Sequence, residues 1–204
     1  ERIVSQAIDA AEPLASHTYS YEWILHLQEY YPYKISVLFP IILNLVQLQS
    51  GESLYQPSGV IHAYLKGFGL ELMANSDNVL RAGLTYKHID IPEIVKNAYF
   101  RSQKPERIAP RPISHQEVVY FTPAPEFVLY CITLDGLQPY FSPMHRSIEI
   151  ILCTEGDGFI SNVDKGTRYS LRAGSSFVIP SGLRQYKLSG KATLYRAAVP
   201  LSHA

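Results

Sequence analysis

The sequence is poor in the residues that a disulfide scaffold, a membrane span or a nucleic-acid surface requires. Two cysteines, Cys131 and Cys153, are too few for a disulfide framework, so a reducing compartment, the cytoplasm, is expected. No apolar run reaches membrane-spanning length and no secretory signal is visible, so no membrane partner is expected. The 18 basic residues are matched by 18 acidic ones, and a chain without a basic excess is not expected to bind nucleic acid. What is abundant is apolar surface. Hydrophobic residues make up 47% of the 204, enough for a substantial core in one large domain or two small ones.

The pattern of that apolar surface changes along the chain. Residues 2–13 predict a short amphipathic helix with Ile3, Val4, Ala7, Ile8 and Ala11 on one face, ended by Pro13. A second helix is expected from Tyr21 to Tyr30, with Ser20 as its cap, Trp23, Ile24 and Leu27 buried, and Pro32 as its stop. From residue 34 the chain turns to β-branched and large apolar residues. "ISVLFPIILNLVQLQSGE", "SLYQP", "IHAYL" and "LELMA" all read as strands. Pro92 suits the first turn of a brief helix, "PEIVKNA". Residues 101–117 are polar and proline-rich and read as a linker. Beyond Val118, "EFVLYCITL", "IEIILCT", "GFISNV", "TRYSL", "SSFVIP", "RQYKL" and "ATLYRAAV" predict a sandwich or barrel of antiparallel strands.

One pattern occurs twice. Gly51, five residues, Pro57, one residue, Gly59, two residues and His62 is repeated at the same spacing by Gly174, Pro180, Gly182 and Gln185. The first glycine turns the chain into a strand, and Pro-x-Gly makes a corner that returns it beside that strand. The pattern matches the second motif of the cupin superfamily, a double-stranded β-helix. The fold expected is therefore mainly β. It has two cupin (jelly-roll) units, the first incomplete over residues 34–100 and the second over 118–204, after a helical segment at 1–33. A cupin metal site takes its other ligands from an earlier His-x-His and Glu. Before the second repeat only His145 and Glu149 of that set are present, with Pro143 and Gln185 at the other two places. The second unit is expected to be structural, with a cryptic site at His145 and Glu149 as the alternative.

The first repeat leads into the densest chemistry of the chain. "HAYLKGFGLELMANSDNVLRAGLTYKHIDIPEIV" resembles the signature of the type I phosphomannose isomerases (mannose-6-phosphate isomerases) over a long, mostly residue-by-residue match. The likeness extends more loosely to "LFPIILNLVQLQSGESLYQP" and to the C-terminal barrel, so the chain looks like the C-terminal half of such an enzyme. The resemblance implies interconversion of mannose 6-phosphate and fructose 6-phosphate through a cis-enediol. It also implies one zinc, whose single ligand in this part of the family matches His62. The other three ligands would lie upstream of Glu1, in a missing N-terminal half that becomes the chain's expected partner. One imidazole does not hold zinc tightly, so these residues alone are expected to bind none there and to be inactive.

Such a reaction needs a base near C1 and C2, a cation for the enediolate and a grip on the phosphate. The family's catalytic arginine matches Arg81, whose fixed charge and planar fork suit either anion. Lys87 can bind phosphate as a point charge or be merely solvated. Asp77 is a candidate acid/base, a partner that aims Arg81, or simply a turn residue of "NSDN". Glu71, between leucines, reads as a buried carboxylate of raised pKa: a candidate base, or a partner for Arg81 on the substrate side. Tyr64 shares a strand face with His62 and either lines the sugar site or fills the barrel. Tyr86 stands where the family has proline and is expected to leave that turn freer, loosening the aim of Lys87. The rival from another class is a non-catalytic sugar-phosphate-binding cupin.

Overall fold

In a computed structural model that describes residues 2–201, the chain folds as two compact units. One unit holds the residues up to 50 together with 56–67 and 76–106. The other holds 51–55, 68–75 and the chain from 107 onward.

The first unit is organised by helices. α1 (Arg2–Ala11) buries Val4 and Ala11, with Ala7 and Ile8 packed beside them, which is the expected period-3.6 stripe. Ile3 lies off that stripe and is exposed. A single 3-10 turn, Glu12–Leu14, absorbs Pro13. α2 (Tyr19–Tyr30) buries Trp23, Ile24 and Leu27 as expected, but begins two residues early, at an extended Thr18 that makes no side-chain capping bond. The residues read as a strand from position 35 differ most. Ile35–Leu38 is a 3-10 turn and Phe39–Ile42 a short helix, α3, with Pro40 in its first turn. Val37 and Leu38 thereby join the helical core of Val4, Ala11, Trp23, Ile24 and Leu27.

The reason is that β-branched composition expresses a fit to a pleated, half-buried surface, not a backbone state. A strand exists only where a neighbour accepts its hydrogen bonds. Among the described residues, the stretch from 43 to 90 finds such a neighbour only at β1 (Ser53–Leu54). It pairs antiparallel with β2 (Arg107–Ile108) in the second unit. "IHAYL" and "LELMA" are accordingly irregular. The brief helix foreseen after Pro92 is α4 (Ile91–Asn97), capped by Asp90, whose carboxylate accepts the Glu93 N–H at 3.1 Å.

The second unit is an antiparallel β structure. β3 (Arg111–Pro112), β4 (Glu117–Tyr120), β5 (Val128–Asp135), β10 (Tyr186–Ala198), β7 (Glu149–Asn162) and β8 (Arg168–Arg172) lie side by side. β6 (Tyr140–Phe141) pairs with β10, and β9 (Ser176–Ile179) with β7. β2 and β3 fall within residues read as linker. Segments expected as separate strands are joined: "IEIILCT" and "GFISNV" form the 14-residue β7, and "RQYKL" and "ATLYRAAV" the 13-residue β10. The two run antiparallel along their whole length, with one bulge between Thr193 and Leu194. Their inward positions, among them Ile151, Cys153, Ile160, Leu188, Ala192 and Leu194, form the core with Ile132, Leu134, Leu171 and Ile179.

Candidate functional site

Both copies of the Gly-Pro-Gly pattern close a turn with an equivalent backbone hydrogen bond, but only the first places its second glycine, Gly59, at positive φ. Val60 N–H donates to the Pro57 carbonyl at 3.3 Å, and Leu183 N–H to the Pro180 carbonyl at 3.1 Å. In the first copy Gly59 has φ +82°, and its carbonyl accepts the Tyr99 N–H at 2.8 Å, just past α4. A side chain at Gly59 would also meet the Asn97 carbonyl oxygen at 2.9 Å, so both conformation and space require glycine there.

This corner delivers His62. The imidazole is exposed, and its Nδ1 lies 2.9 Å from the Val60 carbonyl. A carbonyl can only accept, so Nδ1 carries the proton and the lone pair is on Nε2. A backbone carbonyl that fixes the tautomer in this way is a common support for a histidine metal ligand. Tyr64 packs edge-on against the His62 ring, centroids 6.2 Å apart, so these two are brought together as the spacing suggested. Leu65, next in sequence, anchors the segment on the helical core.

The segment with the cations is anchored by the same helices. The Leu84 N–H donates to the buried Ser36 hydroxyl at 3.0 Å, and the Leu84 side chain packs on the helical core. Leu84 adopts φ +47°, a strained conformation for leucine that these contacts hold. Gly83 lies against Ser36 and Phe39 so closely that an added Cβ would fall 2.5 Å from the Ser36 Cβ. Tyr86 donates its hydroxyl to the Tyr30 carbonyl and its ring packs 5.4 Å from that of Tyr31. The expectation that Tyr86 frees the turn is therefore corrected, because a side-chain anchor on the end of α2 replaces the backbone restraint of proline. Tyr86→Phe is expected to cost about 1 kcal/mol and to speed amide exchange at residues 84–88. Unchanged exchange would show that the ring packing suffices.

Arg81 and Lys87 flank this anchored stretch, and both are exposed. Lys87 is turned by its own N–H, which donates to the Thr85 hydroxyl at 3.1 Å. Asp77 is exposed in a turn in which Asn78 N–H donates to the Ser76 hydroxyl at 3.2 Å. No ion pair joins Asp77 to Arg81 among the described residues. Glu71 belongs to the other unit and is exposed, which corrects its reading as a buried carboxylate. The irregular backbone there does not turn its flanking leucines to one covered side. His26, in the helical region, is committed to an aromatic ladder on α2 with Trp23 and Tyr30 and lies 3.7 Å from Glu29.

The corresponding corner of the second unit is filled by charges. Glu149 is buried and paired to Arg196, and Arg196 also holds Glu117, Nη2 to Oε1 at 2.6 Å. Tyr140 donates to Glu117 at 3.2 Å, and Arg196 lies 3.7 Å over the Tyr130 ring. Arg146 completes the set, 3.7 Å from Glu149 and donating to the carbonyls of Pro180 and Leu183 in the repeated corner. Burial opposes the charge on Arg196, but the Glu117 and Glu149 carboxylates beside it outweigh that and hold its pKa above the ordinary value. Burial pushes the Tyr140 and Tyr186 hydroxyls up as well, so both stay neutral. Gln185 donates to the Ser142 carbonyl at 3.0 Å, and His145 is exposed. Glu149 and Gln185 are thus tied into the protein, and no group of three or more His, Cys, Asp and Glu gathers anywhere among the described residues. Sequence reading missed Arg196 and Glu117. Arg196 is in phase with Ala192 and Leu194, and a charge in phase with an apolar face was the available signal.

Several known proteins are similar to this chain. The family model for the cupin domain of mannose-6-phosphate isomerase matches residues 117–199. The mannose-6-phosphate isomerase of Escherichia coli K12 is 35% identical over 172 residues, covering 83% of this chain and 43% of that protein. The human enzyme is 33% identical over 164 residues, covering 78% and 38%. Among solved structures, the apo enzyme of Salmonella typhimurium superposes with a TM-score of 0.81 at 33% identity, over 98% of this chain and 51% of that one. The same enzyme bound to its substrate fructose 6-phosphate and to zinc gives 0.80 over 97% and 50%. The chain spans about half the length of the relatives it matches. By sequence and by fold, the chain is similar to the mannose-6-phosphate isomerases, and its residues 117–199 match their cupin domain.

Proposed function

We propose that this chain carries one part of an aldose–ketose isomerase that interconverts mannose 6-phosphate and fructose 6-phosphate. The observation that supports this most is the joint anchoring of the His62 corner and the Arg81–Lys87 segment on one helical core, through Leu65 and Leu84. It occurs in a fold that matches a substrate- and zinc-bound isomerase over nearly its whole length.

In this reading His62 contributes Nε2 to a zinc whose remaining ligands lie in a preceding part of the protein. Zinc, when bound, supplies a Lewis acid for the sugar oxygens. Arg81 holds the negative charge that develops on the enediolate, and Lys87 neutralises the substrate phosphate. Tyr64, edge-on to His62, lines the sugar side. Asp77 exchanges the proton between C1 and C2. The residues from Glu1 onward hold one ligand of the four, so by themselves they are inactive. The location is cytoplasmic. The described helices include none long and apolar enough to cross a membrane.

Arg81→Ala in the complete protein tests the reading. Arg81 is exposed and packs no core, so Tm should stay unchanged while kcat falls by about 10²–10³-fold. Unchanged kcat, with sugar phosphate still bound, would favour a binding cupin without catalysis.

A further inference from the structure

The outer face of the second unit carries a hollow of about 490 Å³ that has no part in the site described above. It is built on one cross-strand row. Arg168 on β8 stands opposite Ser161 on β7, Ser161 opposite Lys187 on β10, and Lys187 opposite Phe141 on β6. Residues directly opposite one another point to the same side of a sheet, so all four side chains share this face. Arg168 and Lys187 are two strands apart, roughly 10 Å between backbones. Both side chains are long enough to meet a ligand seated over Ser161.

The chemistry of the lining has one sign. Its charged residues are Arg168 and Lys187, and it contains no carboxylate. Among the described residues neither cation has an acidic partner within ion-pair distance. Arg168 lies 3.3 Å over the Phe159 ring, which fixes the plane of its donor fork. Ser161 and Ser189 add hydroxyls. Asn162 has its carboxamide oxygen engaged by the N–H groups of Asp164 and Lys165, at 2.9 and 3.1 Å, so it offers a ligand its N–H donors. A second hollow beside it, also lined by Asn162, differs in that Asp164 stands among its cations Lys165 and Arg184.

We propose that this hollow is an anion site for a small phosphorylated molecule. The guanidinium fork of Arg168 and the Lys187 ammonium take the phosphate oxygens over Ser161, and Phe141 provides an apolar wall for the organic part. A donor-rich, acid-free lining selects an acceptor-rich ligand. The volume lies in the ordinary range for small-molecule sites. This site is independent of His62 and Arg81, and it stands or falls without the isomerase reading.

The test is an NMR titration of the 204-residue chain at fixed ionic strength, first with inorganic phosphate and then with fructose 6-phosphate. Saturable shifts centred on the amides of Ser161, Asn162, Gly166, Lys187 and Ser189 are expected. Lys187→Gln should weaken binding about tenfold, and Arg168→Lys, which keeps the charge but loses the fork, should weaken it severalfold. Equal affinity for both probes assigns the site to phosphate alone, and tighter binding of the sugar phosphate adds the Phe141 wall. Either result supports the proposal. No saturable shift in this region with either probe overturns it, as does unchanged affinity in both variants. Lys187 lies on the outer face, so Lys187→Gln tests the site even if Arg168→Lys disturbs the strand.

Discussion

Arg196→Ala is expected to be the most destabilising single substitution in the second unit, costing about 3–5 kcal/mol and lowering its Tm by on the order of 20 °C. Arg196 is buried between Glu117 and Glu149, which are themselves nearly inaccessible. Removing it leaves one carboxylate with only a tyrosine hydroxyl and the other with Arg146 alone. The cost is the desolvation of a stranded charge, not the worth of the pair. That distinction gives a second variant its meaning. Arg196→Met with Glu117→Gln removes one charge of each sign and keeps the Arg146–Glu149 pair. It is expected to recover most of the loss. Thermal unfolding of both decides the matter. A Tm for Arg196→Ala within about 3 °C of the parent would show that the cluster is solvated rather than buried.

His62→Ala in the complete protein is expected to lower zinc affinity at least about a hundredfold and turnover by about 10³-fold, with Tm of the metal-free protein unchanged. The side chain is exposed and makes one hydrogen bond, to Val60, and one ring contact, with the equally exposed Tyr64, so no core packing depends on it. His62→Gln should rescue only in part, because its amide oxygen is a weaker zinc donor than an imidazole nitrogen. Zinc content after dialysis is the primary readout. Full occupancy in His62→Ala would remove His62 from the ligand set and with it the reading of the first repeat.

Much of this was legible in the sequence, for identifiable reasons. The helices announced themselves through spacing: Trp23, Ile24 and Leu27 are in phase and all three are buried. The repeated corner was legible because Pro and Gly favour turns locally, and both copies close one with an equivalent backbone hydrogen bond. Of the strands expected between residues 35 and 75 only Ser53–Leu54 formed, because pairing is a property of two segments and composition describes one. Glu71 was misjudged for the same reason, since burial of its flanking leucines presupposed a strand. Tyr86 shows the limit from the other side. Its contact lies 56 residues away on the Tyr30 carbonyl, and no local pattern announces a partner at that distance. The ion cluster of Glu117, Arg146, Glu149 and Arg196 spans 79 residues in sequence and closes only when β4, β7 and β10 come together.

The central claim is that these 204 residues hold one metal ligand and the substrate cations of a sugar-phosphate isomerase whose activity requires a further part of the protein. The most direct test is turnover of mannose 6-phosphate under saturating zinc, measured for the complete protein and for residues Glu1–Ala204 alone. The account predicts fructose 6-phosphate from the complete protein and none from the shorter chain. Turnover by the shorter chain, or its absence in the complete protein, would contradict it.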